Sequence, residues 1–253
     1  MSPWELAAIA LAGVAAGFIN AVAGSGTLIT FPTLLAFGVP PVTANVSNNI
    51  GLVPGGLSGA IGWRRELAGQ RGRAVRLGSA SLLGGVAGAV LLLVLPSSAF
   101  RTVVPVLVGL GVLLVALQPL INRRVEAAAE HATTARSDAG WLWPGVAVLG
   151  VYGGYFGAAQ GILLMAVLGA GTADSLHRDN ALKNVLASVV NAVAAVVFIL
   201  VAEVDWVIVA LIAGGSIIGA VAGARVGRRL PPVLLRAAII TVGLVALAVF
   251  LLR

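Results

Sequence analysis

Polar residues in this chain fall in short islands between long apolar runs. The runs lie at about 4–23, 27–37, 43–62, 76–95 and 101–121, and again at about 141–158, 162–172, 180–201, 206–224 and 236–252. A helix that crosses hydrocarbon needs roughly 20 apolar residues. The second run of each set has about half that length, which predicts a half-helix, a re-entrant piece or one arm of a broken helix. Pro119 and the polar stretch Asn122 to Asp138, with Glu126, Glu130, His131 and three arginines, predict a solvated loop or short surface helix. The expected organisation is one integral membrane domain: a first half over 1–121, a linker over 122–140 and a second half over 141–253. Met1 to Glu5 carries no basic residue ahead of the first run, so that run is expected to remain as a span rather than to be cleaved.

The two halves are copies. A shift of 135 residues, without a gap, lays Ala23, Gly26 and Leu28 on Ala158, Gly161 and Leu163, and Asn45 and Asn49 on Asn180 and Asn184. The register holds downstream, where Ser81, Gly84, Val86, Ala87, Gly88 and Ala89 fall on Ser216, Gly219, Val221, Ala222, Gly223 and Ala224. Two greasy copies of one unit predict a transporter built around a pseudo-two-fold axis, with its working residues where the copies meet.

Composition agrees. With 59% hydrophobic and 10% charged residues and a mean hydropathy of +1.05, the chain lacks the polar groups to cover a globular surface, so much of its exterior faces lipid. The net charge of +7 is therefore no nucleic-acid signal, since the basic residues gather between apolar runs. No cysteine is present, which excludes disulfides and thiolate metal sites, and no cofactor is expected. Charge also orients the copies. Residues 64–76 hold Arg64, Arg65, Arg71, Arg73 and Arg76, whereas the equivalent 199–211 holds Glu203 and Asp205 and no basic residue; 225–236 holds Arg225, Arg228, Arg229 and Arg236, whereas 90–101 holds only Arg101. By the positive-inside bias, equivalent loops then lie on opposite sides of the membrane. The expected fold is an all-α polytopic membrane protein of two inverted repeats, each of about five membrane segments that include short or broken helices, with both termini outside. A parallel repeat of four spans each is the rival.

Gly84 and Gly88, recurring as Gly219 and Gly223, and Gly55 with Gly59 in the first half only, are small residues four apart that let helix backbones approach. They are structural. No strand precedes the glycine-rich run and no Lys-Ser/Thr follows it, so it is no nucleotide loop.

The chemical signal is polar residues inside apolar runs. No charge occurs between Leu6 and Trp63, yet the stretch contains Asn20, Ser25, Thr27, Thr30, Thr33, Thr43, Asn45, Ser47, Asn48, Asn49 and Ser58. An unpaired amide costs several kcal/mol in hydrocarbon, so these groups must meet one another, free backbone, water or a ligand. One cluster, Ala23 to Thr27, is answered by Ala158 to Ile162; the other, Thr43 to Asn49, by Arg178 to Asn184. Both are expected at helix starts, where unpaired N–H groups and about half a positive charge face inward. That is an anion site. Ser25 and Thr27 offer hydroxyl protons; Asn45, Asn48, Asn49, Asn180, Asn184 and Gln160 offer amide protons; Lys183, the only lysine, takes the place of Asn48 and brings a charge. Helix capping and helix-to-helix hydrogen bonding would use the same residue types.

The run Gly17-Phe18-Ile19-Asn20-Ala21-Val22-Ala23-Gly24-Ser25-Gly26-Thr27-Leu28-Ile29-Thr30-Phe31-Pro32-Thr33-Leu34-Leu35 resembles the opening signature of the TauE/SafE sulfite exporter family. So does His177-Arg178-Asp179-Asn180-Ala181-Leu182-Lys183-Asn184, followed by Asn191 and by Gly223-Ala224-Arg225. The resemblance covers nearly the whole chain outside 122–140. It implies a multi-pass protein of the bacterial plasma membrane that moves sulfite, organosulfonates and related small anions, often outward. The glycine-rich turn departs from the family's usual form, reading Gly24-Ser25-Gly26 in one half and Ala158-Ala159-Gln160-Gly161 in the other.

A membrane potential negative inside drives anions out with about 2.3 kcal/mol per charge per 100 mV, so an oxyanion can leave without a coupling ion. Asp174, Asp179, Glu203 and Asp205 all lie near predicted segment ends, away from mid-span proton-relay positions. An enzyme would want histidines or clustered carboxylates in the spans, and His131 and His177 lie in or beside loops, so no catalysis is expected. An anion channel, or a carrier of another oxyanion or a carboxylate, fits the same residues. The expected partners are a small anion and membrane lipid, with no nucleic acid and with a homodimer left open.

Overall fold

The computed structural model describes residues 1–130, 138–172, 174–226 and 232–251, which form ten α-helices. They are α1 (Pro3–Val22), α2 (Thr27–Ala36), α3 (Pro41–Gly62), α4 (Arg71–Val94), α5 (Ser97–Glu130), α6 (Leu142–Tyr155), α7 (Gln160–Gly171), α8 (Leu176–Val201), α9 (Trp206–Val226) and α10 (Pro232–Leu251). Three starts repeat at the 135-residue offset, Pro41 with Leu176, Arg71 with Trp206 and Ser97 with Pro232. Proline explains two of these starts: its fixed φ suits a first helical turn, where its missing N–H costs nothing. α5 runs to Glu130, so residues 122–130, read above as part of a linker, continue a helix. Their composition, rich in Arg, Glu and Ala, is strongly helix-forming. His131, Arg228 and Arg229 lie outside the described residues.

The protein is an all-α polytopic membrane protein. Five helices, α1, α4, α8, α9 and the Ser97–Arg124 part of α5, are long and apolar enough to cross a bilayer, while α2 and α7 are short and apolar. The short helices are arms of hairpins. α1 and α2 pack on each other, Trp4 at the start of α1 meets Phe37 at the end of α2 with ring centroids 5.1 Å apart, and the backbone turns at Gly24, with φ +82°. α6 and α7 fold back in the same way: the Ala139 N–H, just before α6, donates to Gly171 O at the end of α7 at 3.0 Å.

Each hairpin's longer arm packs on a helix of the other half, α1 on α9 and α6 on α4. Both pairs run parallel, since Gly13 and Gly17 face Ile212 and Ser216, while Gly84 and Gly88 face Gly150 and Tyr155. The expected small-residue contacts are here. A Cβ at Gly219 would fall within van der Waals contact of Val14 O, and one at Gly88 within that of Val151 O. With lipid giving no hydrophobic push, such backbone approach supplies the dispersion contact that holds the pairs. Between these units α3 and α8 cross antiparallel: Asn49 meets Asn191, Gly56 approaches Ser188, and Trp63 stacks on His177.

An ionic clamp ties three elements at the arginine-rich end. Arg73, at the start of α4, bonds Asp138 at 2.7 Å and Asp174 at 2.8 Å; Arg178 of α8 takes the other Asp174 oxygen at 2.7 Å, and Arg76 takes Asp138. Burial opposes the Asp174 charge, yet hydrogen bonds from Arg178, Arg73 and the Ser175 amide outweigh it and hold that carboxyl below the ordinary carboxylate range.

Two predictions follow from this packing. Gly219→Ala must push α9 off α1 and lower the melting temperature in detergent, by the roughly 1–3 kcal/mol typical of overpacking. Gly214→Ala, with nothing within 4 Å of the new methyl, stabilises α9 instead. In a melt series from neutral to acid pH, the clamp's contribution is present above the ordinary carboxylate value of about 3.9 and is lost as pH falls through the lowered value of Asp174. Asp174→Asn should lower stability at neutral pH and flatten the acid limb.

Candidate substrate site

The tips of the two hairpins touch in the buried interior. The Gly161 N–H, at the start of α7, donates to Gly24 O at 3.1 Å, and a Cβ on either glycine would stand 2.5 Å from the other's Cα. Glycine is required here by the close approach as well as by the positive φ at Gly24. Ala159, the N-cap of α7, is also left-handed, at φ 57°, although it carries a side chain.

Breaking a helix frees backbone carbonyls and amides, and polar side chains of the other elements meet them. Asn20 Oδ1 accepts from the Gly26 N–H at 2.6 Å, which caps α2 from the last turn of α1. Lys183 Nζ donates to Asn20 O at 3.2 Å, and the amides of Asn184 and Asn180 reach Ala21 O at 3.4 and 3.5 Å. All three therefore sit at the C-terminal end of α1, where carbonyl oxygens concentrate negative charge. In the other half Asn45 donates to Tyr155 O, in the last turn of α6, at 3.0 Å. The second cluster thus acts one to two turns inside α3 and α8 rather than at their starts, because Pro40 and Pro41 begin α3 ahead of Asn45 and Ser175 precedes α8.

Around the tips lies a cavity of about 40 Å³, lined among others by Asn20, Thr27, Asn48, Asn49, Gln160, Lys183, Asn184, Ser188 and Asn191. At about 10–15 Å³ per water-sized group, this is room for roughly three or four such groups. Of the residues expected at the site, Thr27, Asn48, Asn49, Gln160, Lys183 and Asn184 line it; Ser25, Asn45 and Asn180 are buried outside its lining. Asn20 and Asn191, named in the sequence but not assigned to the site, and Ser188 join the wall. Their repeat mates are Tyr155, Gly56 and Val53, so duplication does not mark them. A polar stripe along α8, at 180, 184, 188 and 191, marks Ser188 and Asn191.

Lys183 is the only charged side chain in the lining and is 1% exposed, and it forms no ion pair among the described residues. Thr30 donates to Asn48, whose amide reaches Thr27 Oγ1 at 3.5 Å, and Asn49 donates to Asn191 at 3.3 Å while its own Oδ1 is buried without a partner. The wall is thus rich in amide and hydroxyl groups beside one cation. Trp63, buried four residues beyond the lining residue Gly59, clusters with Ala181 and Ala224; its repeat mate Phe198 is fully buried in the core that holds Val46 and Ala89, the mates of those alanines. A larger groove of about 850 Å³, lined by Pro32, Leu35, Val39, Arg101 and Val245 among others, is mainly apolar and suits acyl chains better than an anion.

Paired hairpins that meet in the buried interior around a polar cavity, within a bundle of apolar helices, define a membrane transporter. The sequence model of the family described as sulfite exporter TauE/SafE matches residues 9–251, and the chain belongs to that family. It is a multi-pass protein of the bacterial plasma membrane, with transport rather than catalysis as its role. Similar proteins include the probable membrane transporter protein YfcA of Escherichia coli K12, 26% identical over 226 residues that cover 89% of this chain and 81% of that protein. A probable membrane transporter protein of Haemophilus influenzae is 28% identical over 229 residues, covering 87% of this chain and 84% of that one. No solved structure matches the chain.

The tip contact is directly testable. Gly24→Ala and Gly161→Ala should each lose transport and melt well below the parent. Gly38→Ala, also at positive φ but with open space around it, should cost only the left-handed strain of about 1–2 kcal/mol.

Proposed function

We propose that this transporter carries small sulfur oxyanions, such as sulfite or organosulfonates, out of the cell and binds them in the central cavity. The observation that carries this reading is Lys183: a single buried cation with no carboxylate in the lining, faced by Thr27, Gln160, Asn49 and Asn184 and by the starts of α2 and α7. A cation site would require the reverse, a wall of carboxylates or carbonyl oxygens. The Asn and Thr groups orient an oxyanion through N–H and O–H donors, and the helix starts add their partial positive charge. Outward movement follows the membrane potential, worth about 2.3 kcal/mol per charge per 100 mV.

In this reading residues 1–121 and 141–253 are two inverted repeats. What supports inversion is direction: the equivalent helices α3 and α8 run antiparallel, and the contact of α1 with α9 is matched by that of α6 with α4. The buried aromatic mates Trp63 and Phe198 then stand at opposite ends of the α3–α8 pair, as two closures of one cavity.

Purified protein in liposomes should release sulfite or isethionate, with a flux that saturates, and should pass no potassium. Lys183→Gln should lower the flux about tenfold or more, since a charged hydrogen bond contributes about 1.5–3 kcal/mol. Cation flux, or undiminished anion flux in that variant, would overturn the reading; non-saturating flux would make the protein a channel. Orientation has its own test. Ala68 and its mate Glu203 are both exposed, whereas Gln70 is buried. With no native cysteine to remove, an impermeant thiol reagent outside the inner membrane should label a cysteine at 203 and spare one at 68. Equal labelling would mean a parallel repeat.

A further inference from the structure

The second half departs from the first at two neighbouring positions on one helix face. Where α3 has Ala44 and Asn48, α8 has Asp179 and Lys183. Both are buried, at 0% and 1% exposure, one helical turn apart, and they form no ion pair among the described residues. Asp179 Oδ1 accepts from the Thr172 hydroxyl at 2.8 Å, while Oδ2 is buried without a hydrogen-bond partner. A carboxylate in such a place keeps an unsolvated charge unless it takes up a proton. Thr172 connects it outward, because the same Oγ1 accepts from the Asp174 N–H at 3.3 Å and Asp174 lies in the clamp at the arginine-rich end.

The charged groups around Asp179 are few. α3, α6 and α7 carry none. α4 brings Arg73, and the α7–α8 connection brings Asp174; α8 itself brings Arg178 and Lys183, with His177 held against Trp63. Arg73 and Arg178 are both engaged by Asp174, and Lys183 by Asn20 O. No cation is thus committed to Asp179, although Lys183, one turn away, reaches the substrate cavity.

We propose that Asp179 is a proton-binding site, reached from the arginine-rich face through Thr172, and that its protonation sets the anion affinity of Lys183, so that proton and anion move together. A divalent anion with one proton still carries one net negative charge out along the membrane potential, whereas a monovalent sulfonate with its proton moves down its concentration gradients alone. A protonated Asp179 is neutral and leaves the Lys183 charge to the anion. A deprotonated Asp179 places a negative charge one turn from Lys183 and offsets it. The step is a simple acid–base equilibrium, carboxylate plus proton to carboxylic acid. Its coupling role, though not the proton site itself, rests on the transport reading above.

Infrared spectra of the purified protein in lipid test the site without a substrate. The wild type should show a protonated-carboxyl C=O band that disappears as pH is raised, that is absent in Asp179→Asn and that persists in Asp174→Asn. Thr172→Val keeps the carboxyl but removes the donor that favours its charged form, so the band should survive to higher pH, a shift that a merely structural role does not produce. A wild type without a titrating band overturns the proposal. Liposomes loaded with isethionate, whose sulfonate carries no proton of its own, and with a pH-sensitive dye test the coupling. Efflux should make the interior alkaline, and any flux that remains in Asp179→Asn should leave the pH unchanged. Wild-type efflux without a pH change overturns the coupling. A titrating band with no isethionate or sulfite flux leaves the proton site standing and removes the transport reading on which the coupling rests.

Discussion

Backbone groups freed by a broken helix have no water to turn to inside a bilayer, and their satisfaction governs this molecule. Each hairpin tip leaves such groups, and the two tips answer one another where Gly161 N–H meets Gly24 O. What remains is met by side chains: Asn20 on the start of α2, Lys183, Asn180 and Asn184 on the end of α1, and Asn45 of α3 on the end of α6. Those side chains are the reason that α3 and α8 carry amides in otherwise apolar surroundings. The same need produces the cavity, because glycines that allow the tips to meet leave space that larger residues would fill.

The two halves share a plan but not a charge pattern. Structural positions repeat closely, as in the glycine pairs that seat α4 on α6 and α9 on α1. At the cavity the identity repeats at Asn49 and Asn184 but not at its neighbours: Asn48 is answered by Lys183, Gly56 by Asn191, and Asn20 has Tyr155, outside the lining, as its mate. A strictly symmetric site would carry either two lysines or none. One lysine gives a net positive cavity without like-charge repulsion across a few ångströms of low dielectric.

Helix positions were legible in the sequence because lipid imposes one rule, apolar length, and the repeat supplied each prediction twice. The start of α9 at Trp206 and the span of α2 agree with the hydropathy reading to within a residue. α5 ran beyond its predicted end because helix propensity continues where hydrophobicity stops, from Asn122 to Glu130. At the site, Lys183, Asn49 and Asn184 were legible as polar groups buried at repeated positions. Asn45 and Asn180 share that pattern yet stand outside the lining, where their amides meet the carbonyls of Tyr155 and Ala21, and which carbonyl a hairpin exposes is not written in spacing. Asn20 and Asn191 were named in the sequence but not placed at the cavity, because their repeat mates are Tyr155 and Gly56 and duplication does not mark them.

The most direct measurement is an experimental density map of the protein in lipid with selenite, a heavier analogue of sulfite whose anomalous signal identifies its position. A single peak within hydrogen-bond reach of Lys183 Nζ, between the starts of α2 and α7 and lost in Lys183→Gln, is the predicted result. Hairpin tips that stand apart at Gly24 and Gly161, or a selenite peak remote from Lys183 while transport is intact, would contradict a site built where the two broken helices meet.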